Sequence, residues 1–135
     1  MIKRPLLAVA AIASMISLTC AFAAGDAAKQ IATAEAHASM AAATKDIKMV
    51  HAHLHHVINC LVGPKGKGFD ASAENPCKGM GDGALTDLAG QPVAHAKLED
   101  AVKMAESGIH DAQYAKAHAA AKKTVALIKD ASAPK

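Results

Sequence analysis

The sequence predicts an all-α protein, an up-down-up-down four-helix bundle made of two helical hairpins that are joined by a glycine-rich, disulfide-closed loop. Three observations predict it. Residues 26–61 contain no glycine or proline and much alanine, residues 62–90 are rich in helix breakers, and a second helical pattern covers residues 91–131.

The N-terminal segment has the layout of a secretory signal peptide. Lys3 and Arg4 precede an apolar run over residues 6–18, which small residues follow. We expect residues 1–23 to be removed on export to the periplasm and residues 24–135 to form one helical domain. Nothing later in the sequence approaches the roughly 18 apolar residues of a transmembrane helix, so no membrane association is expected after cleavage.

Two alternatives at this end stay open, namely cleavage after Ala24 and lipidation of Cys20. The signal contains two of the 15 basic residues and none of the 12 acidic ones, so the exported chain has a net charge near +1. That charge implies no nucleic-acid partner.

Residues 26–61 predict the first hairpin. Its second half has apolar residues at alternating spacings of three and four, which form one stripe for packing: Ile47, Val50, Leu54, Val57 and Leu61. A turn is expected over residues 43–46, with Asp46 as a helix cap. One long helix over residues 26–61 is the alternative, because the turn has no glycine.

Residues 62–90 predict an irregular loop. Cys60 and Cys77 are the only cysteines outside the signal, and an oxidising compartment favours a disulfide between them. Closing a loop of this length contributes roughly 3 kcal/mol. Two free thiolates that bind Cu(I) or zinc are the alternative.

Residues 91–131 predict the second hairpin. Pro92 suits a first helical turn, Val93 and Leu98 begin an apolar stripe, Gly108 is expected to end the helix, and Asp111 to cap the last one.

The two helical stretches align when residue 31 is placed on residue 98. At this offset His51 falls on His118 and Leu61 on Ile128. A metal site with pseudo-twofold symmetry would require the two histidines to occupy equivalent positions in the two hairpins, and this alignment places them so.

All eight histidines lie outside the signal: His37, His51, His53, His55, His56, His95, His110 and His118. His51 and His55 stand one turn apart on the same helix face, a spacing at which two imidazoles can chelate one ion. They are the principal predicted ligands, His118 follows, and the other five are further candidates.

Methionine sulfur is a second type of soft ligand in this chain. Met40, Met49, Met80 and Met104 could serve Cu(I), although filling the core is the more common use of methionine.

No catalytic motif accompanies the histidines. Ala52 stands where a metalloprotease helix carries its glutamate, and there is no Glu-x-x-His pair for di-iron and no Cys-x-x-Cys-His for covalent haem. We therefore expect a binding protein and not an enzyme.

The run from His95 to His110 (HAKLEDAVKMAESGIH), with residues 115–122 (AKAHAAAK), resembles the repeated units of the bacterial periplasmic small metal-binding proteins. The resemblance implies an exported, histidine-rich four-helix bundle that binds several divalent metals, copper prominent among them. It implies ligand roles for His95, His110 and His118. This chain departs from the pattern in having fewer histidines and a long insert between the hairpins.

These observations predict a periplasmic protein that sequesters or buffers divalent transition metals, copper before zinc or nickel. A non-covalent haem-binding electron carrier is one alternative. A structural or interaction protein that uses the 62–90 loop is another.

Overall fold

The computed structural model describes residues 25–88 and 90–133. In this part of the chain five helices follow one another: α1 Ala27–Ala43, α2 Ile47–Val62, α3 Ala84–Asp87, α4 Pro92–His110 and α5 Tyr114–Ser132. The described ranges contain no strand, which confirms the all-α prediction. Within those ranges, no helix has both the length and the apolar character needed to cross a bilayer. The expectations for the export signal and Cys20 lie outside the described residues.

Residues 44–46 form the predicted turn between α1 and α2, so the alternative of one long helix is wrong. Asp46 is the N-cap of α2, and its carboxylate accepts a hydrogen bond from the backbone N–H of Lys48 (2.9 Å). Asp26 caps α1 in the same way, through the N–H of Lys29 (2.9 Å). Such caps provide acceptors for backbone N–H groups that have no partner inside the helix. A new helix can therefore begin at this turn although the turn contains no glycine.

The four long helices enclose a core with many small side chains. α1 packs against α2 and α5, and α4 packs against α5 and α2. Alanines on α1, α4 and α5 are fully buried: Ala34, Ala38, Ala41, Ala101, Ala105, Ala117 and Ala121. The predicted stripe of α2 supplies larger side chains that are also fully buried: Val50, Leu54, Val57 and Leu61. Small residues on three helices let the backbones approach closely around the larger residues of α2.

Among residues 25–88 and 90–133, three large apolar side chains lie on the surface: Met40, Met49 and Val93. The core-filling interpretation of the two methionines, and the place of Val93 in the buried stripe, are therefore wrong. The reason is the helical register. α1 turns Ala38 and Ala41 toward the core, which leaves position 40 outside, and α2 turns Val50 inward, which leaves position 49 outside.

Gly108 does not end α4, as the sequence predicted, because the helix continues to His110. Gly108 is buried where α4 meets its neighbours, and a Cβ there would lie 2.6 Å from Leu54 Cδ1 and 3.0 Å from Ala120 Cβ. The lack of a side chain at position 108 therefore allows α4 to pack closely against its neighbours. The prediction that Asp111 caps the last helix is also wrong. Asp111 is the C-cap of α4, and its carboxylate accepts a hydrogen bond from the N–H of Gln113 (2.9 Å), which is itself the N-cap of α5.

The segment after α2 folds back onto the end of that helix. Cys60 and Cys77 form the predicted disulfide, so the alternative of free thiolates is not the state of this structure. The buried amide of Asn59 donates to the carbonyl oxygens of Asp70 (2.9 Å) and Glu74 (3.2 Å), and it accepts from the N–H of Asp70 (2.8 Å). Residues 70–77 are thus fastened to the last turn of α2 by one covalent bond and three hydrogen bonds.

The predicted loop needs two corrections. Val62 belongs to α2, and Ala84–Asp87 forms one helical turn. The Asp87 carboxylate accepts hydrogen bonds from the Gln30 side chain (2.6 Å) and from the N–H of Asp82 (3.0 Å), which ties this short helix to α1.

We predict that Gly63→Ala destabilises the fold much more than Gly79→Ala. Both glycines have positive φ, +71° and +82°, so each alanine costs about 1–2 kcal/mol. A Cβ on Gly63 would also collide with the carbonyl of Asp82, whereas nothing lies within 4 Å of one on Gly79. This overlap adds roughly 1–3 kcal/mol. Urea unfolding followed by circular dichroism measures both losses, and equal losses would show that the loop is not held closely against the end of α2.

Candidate metal centre

Three histidines from α1 and α2 meet on the outside of the first hairpin. His37 lies in the second half of α1, and His53 and His56 lie one turn apart on α2. His37 Nδ1 is 3.2 Å from His53 Nδ1 and 3.3 Å from His56 Nδ1. One ring nitrogen from each residue falls within 4.8 Å of the other two. These residues, here called the tri-histidine cluster, are close enough to hold one metal ion.

The turn determines which residues meet. α1 and α2 fold back on one another around residue 45, so residue 37 lies opposite residue 53, and residue 56 is one turn further along the same face of α2. The neighbours of these histidines, Ala38 and Leu54 among them, fill the core. The imidazoles are therefore left on the outer side of the helix contact, where each is half-buried.

Two of the three ring pairs are packed edge to face, and the third, His37 with His53, is tilted at 42°. The His37 and His56 ring centres are 4.8 Å apart with planes at 85°, and those of His53 and His56 are 5.7 Å apart at 77°. Nearly perpendicular rings can each direct a nitrogen toward a shared point without stacking on one another. This arrangement suits coordination by three imidazoles.

The surroundings of His37 and His56 favour the neutral, unprotonated form of each ring. Burial lowers the pKa of His37 below its ordinary value of 6.5, and repulsion from His56 and His53 lowers it further. Burial likewise lowers the pKa of His56, with additional repulsion from His53 and His55. The carboxylate of Glu74 acts in the opposite direction on both. A neutral imidazole has a lone pair for a metal, so these shifts keep His37 and His56 ready to ligate at neutral pH.

The two histidines related by the repeat lie elsewhere and make similar bonds. His51 donates from Nε2 to the carbonyl oxygen of Asp111 (3.1 Å), and His118 donates from Nε2 to that of Ala42 (2.7 Å). His118 also stacks on Tyr114. His51 on α2 is thus bonded to the end of α4, and His118 on α5 is bonded to the end of α1. They connect the two hairpins.

The remaining three predicted ligands are also outside the cluster. His55 directs Nδ1 to the carboxylate of Asp70 (3.1 Å), so the rings of the predicted pair His51 and His55 are bonded to separate partners. His95 Nδ1 lies 3.9 Å from Glu99 Oε1. His110 is exposed at the end of α4.

Spacing within a single helix does not single out His37, because α1 carries no other histidine. The signal that would have identified it is the predicted turn itself. A turn centred on residue 45 pairs residue 37 with residue 53, and only afterwards does the spacing of His53 and His56 become informative.

No protein-family model, no curated protein and no solved structure matches the chain. The chemistry of the cluster therefore follows from its geometry alone.

We predict that the metal-free protein loses stability as the pH falls from about 7.5 to about 5. In the unfolded chain His37 and His56 take up protons below about pH 6.5, whereas their lowered pKa values delay protonation in the fold. The unfolded state then binds more protons, so the free energy of unfolding is highest above that pH and decreases below it.

His37→Gln removes one of these groups and relieves repulsion on another, so its free energy of unfolding should depend less on pH. Urea unfolding at several pH values measures the slope, with Ala36→Gln on the exposed side of α1 as the control for a new glutamine. Identical slopes for His37→Gln and the parent protein would contradict the assignment.

Proposed function

We propose that this protein binds a divalent transition metal at the tri-histidine cluster, and that it sequesters or buffers the metal in the periplasm without catalysing a reaction. The observation that carries the proposal is the convergence of three ring nitrogens from two helices, with Nδ1 separations of 3.2 and 3.3 Å.

The spacing supports a tetrahedral centre. Metal–nitrogen bonds of about 2.0–2.1 Å in tetrahedral geometry separate the ligand nitrogens by about 3.3–3.4 Å. Two of the three nitrogen pairs are already at that distance. Rotation of the His53 or His56 ring about its side-chain bonds would bring the third pair into place, and both rings are half-buried at the surface, where such movement is possible.

The donor set supports copper, zinc or nickel over magnesium or calcium, because imidazole suits the former ions and the latter prefer oxygen. Among divalent ions copper should bind most tightly by the usual affinity order. Three protein ligands leave a fourth position for water or a carboxylate. Glu74 is exposed, and its charge acts on both His37 and His56, which makes it a candidate for that position.

We also propose that the four long helices form an up-down-up-down bundle and that the protein is exported to the periplasm. Four long helices packed as two hairpins are what an up-down-up-down bundle requires, and the signal-like N-terminus with a disulfide is consistent with export. A relationship to the periplasmic small metal-binding proteins fits the same function. However, His95, His110 and His118, which carry that resemblance, are not members of the cluster, so the proposed site differs from the one that the resemblance implies.

We predict that Zn(II) or Cu(II) stabilises the oxidised protein and that His37→Ala/His53→Ala abolishes this effect. A metal that binds only the folded state raises the free energy of unfolding by about 2.7 kcal/mol at 100 times its dissociation constant. Thermal unfolding by circular dichroism, with and without metal, measures the difference for each protein. The comparison uses the metal-induced change, so a different starting stability of the variant does not affect it.

Two double variants serve as controls. His95→Ala/His110→Ala removes two histidines that lie outside the cluster and should leave the metal-induced stabilisation intact. His51→Ala/His55→Ala removes the pair that the sequence favoured and should also leave it intact. Loss of stabilisation in this second control alone would place the site at His51 and His55, and no stabilisation of the parent protein would refute metal binding.

A further inference from the structure

The outer face of the α1–α2 hairpin carries three histidines and two methionines, which are metal-binding residue types, in one stripe. On each helix its members are separated by three or four residues and so share one side. The outer face comprises Thr33, His37 and Met40 of α1, and Met49, His53 and His56 of α2. The tri-histidine cluster therefore has methionines beside it on both helices.

The helical register places positions 40 and 49 outside the core, but core packing does not account for the choice of a large apolar residue at either position. Their side chains are 48% and 43% exposed, and in residues 25–88 and 90–133 the only other large hydrophobic side chain this exposed is Val93. Two long apolar side chains left in water forgo the gain of burial, which is about 25 cal/mol per Å². Two of these three exposed side chains lie next to a candidate metal centre.

The register places the thioethers within one turn of the imidazoles. Met40 follows His37 by three residues and Met49 precedes His53 by four, which corresponds to a rise of about 4.5–6 Å along each helix. Helical side chains lean toward the N-terminus of their own helix, so Met40 leans over the turn that holds His37, and His53 over the turn that holds Met49. On each helix the methionine and the histidine therefore share one side and are separated by about one turn.

Thioether sulfur is a soft, uncharged ligand that favours Cu(I), whereas the ligands of Zn(II) in proteins are thiolate, imidazole and carboxylate groups. We propose that the outer face also binds Cu(I), through Met40 and Met49 together with an imidazole of the tri-histidine cluster. This inference rests on the proposed function, since it uses the same histidines. It makes the protein a carrier for both oxidation states of copper, with nitrogen ligands for Cu(II) and added sulfur ligands for Cu(I).

Met80 occupies the other end of the outer face but is not part of this site. Its half-buried sulfur lies 3.9 Å from Thr33 Oγ1, and Thr33 is one turn before His37. The Thr33 hydroxyl donates its hydrogen at shorter range to the carbonyl oxygen of Lys29 (2.9 Å). Met80 therefore lies beside Thr33, on the far side of the cluster from Met40 and Met49.

The test is an anaerobic titration of Cu(I), kept reduced by ascorbate, against a chromophoric Cu(I) chelator, with the oxidised protein as the competitor. Met40→Leu/Met49→Leu keeps apolar side chains of similar volume and removes both sulfurs. Loss of a ligand should cost at least as much as loss of a supporting residue around a metal, which is about 10–100-fold in affinity. We expect a fall of at least about tenfold for Cu(I) and an unchanged affinity for Zn(II). Met104→Leu, on α4 away from the outer face, should change neither affinity.

A second readout is direct. In protein labelled with ¹³C at the methionine methyl groups, Cu(I) should shift the Met40 and Met49 signals and not the Met104 signal. Unchanged Cu(I) affinity in the double variant, with no shift of the two methyl signals, overturns the inference. If Zn(II) still binds in that case, the proposed function stands and only the methionine site fails. If neither Zn(II) nor Cu(II) binds the parent protein, the proposed function fails, and this inference fails with it.

Discussion

The close contact of α1 with α2 is the constraint on which the candidate site depends. Fully buried Ala34, Ala38 and Ala41 present little more than a methyl group each, so the two helices can approach while Val50 and Leu54 of α2 fill the space between them. A fixed contact of this kind sets the register of one helix against the other, because a shift would move alanines away from the larger side chains they accommodate. The same register holds His37 across from His53 and His56. The cluster is therefore a consequence of how the core packs, although its members lie outside the core.

The disulfide-closed segment extends the same construction. Asn59 is one turn beyond His56, and its buried amide holds the backbone of Asp70 and Glu74, while Cys60 is bonded to Cys77. A side-chain amide that donates twice and accepts once substitutes for the backbone pairing that an irregular segment lacks. Since that segment is fixed to α2 at the turn following the cluster, its charges are fixed there too. The influence of Glu74 on the pKa of His37 and His56 follows from this attachment.

Features that depend on neighbours along the chain could be predicted from the sequence. The α2 stripe and the Asp46 cap follow from local spacing and capping chemistry, and the turn at residues 44–46 follows from the alignment with the second hairpin. The disulfide was predicted from the expectation of export to an oxidising compartment. Features that depend on which helices face each other could not. Gly108 has the composition of a helix stop, yet it is needed where α4 meets Leu54. His51 and His55 have the spacing of a chelating pair, but their partners, Asp111 and Asp70, come from other parts of the chain. Methionine spacing likewise did not reveal that Met40 and Met49 face solvent.

The internal repeat separates the histidines that connect the hairpins from those that form the cluster. At the offset that aligns the halves, His51 corresponds to His118, and each bonds to a backbone carbonyl of the opposite hairpin, so this role is present twice. The cluster is present once. The positions that correspond to its members are Met104, Ala120 and Lys123. The second hairpin thus packs its helices with a thioether, a methyl group and a lysine where the first has three imidazoles. Helix pairing in this architecture does not require histidine at those positions. Burial and repulsion between neighbouring rings make protonation of His37 and His56 a cost to the fold. Under the proposed function, a metal ion held by the three neutral rings would replace that repulsion with coordination.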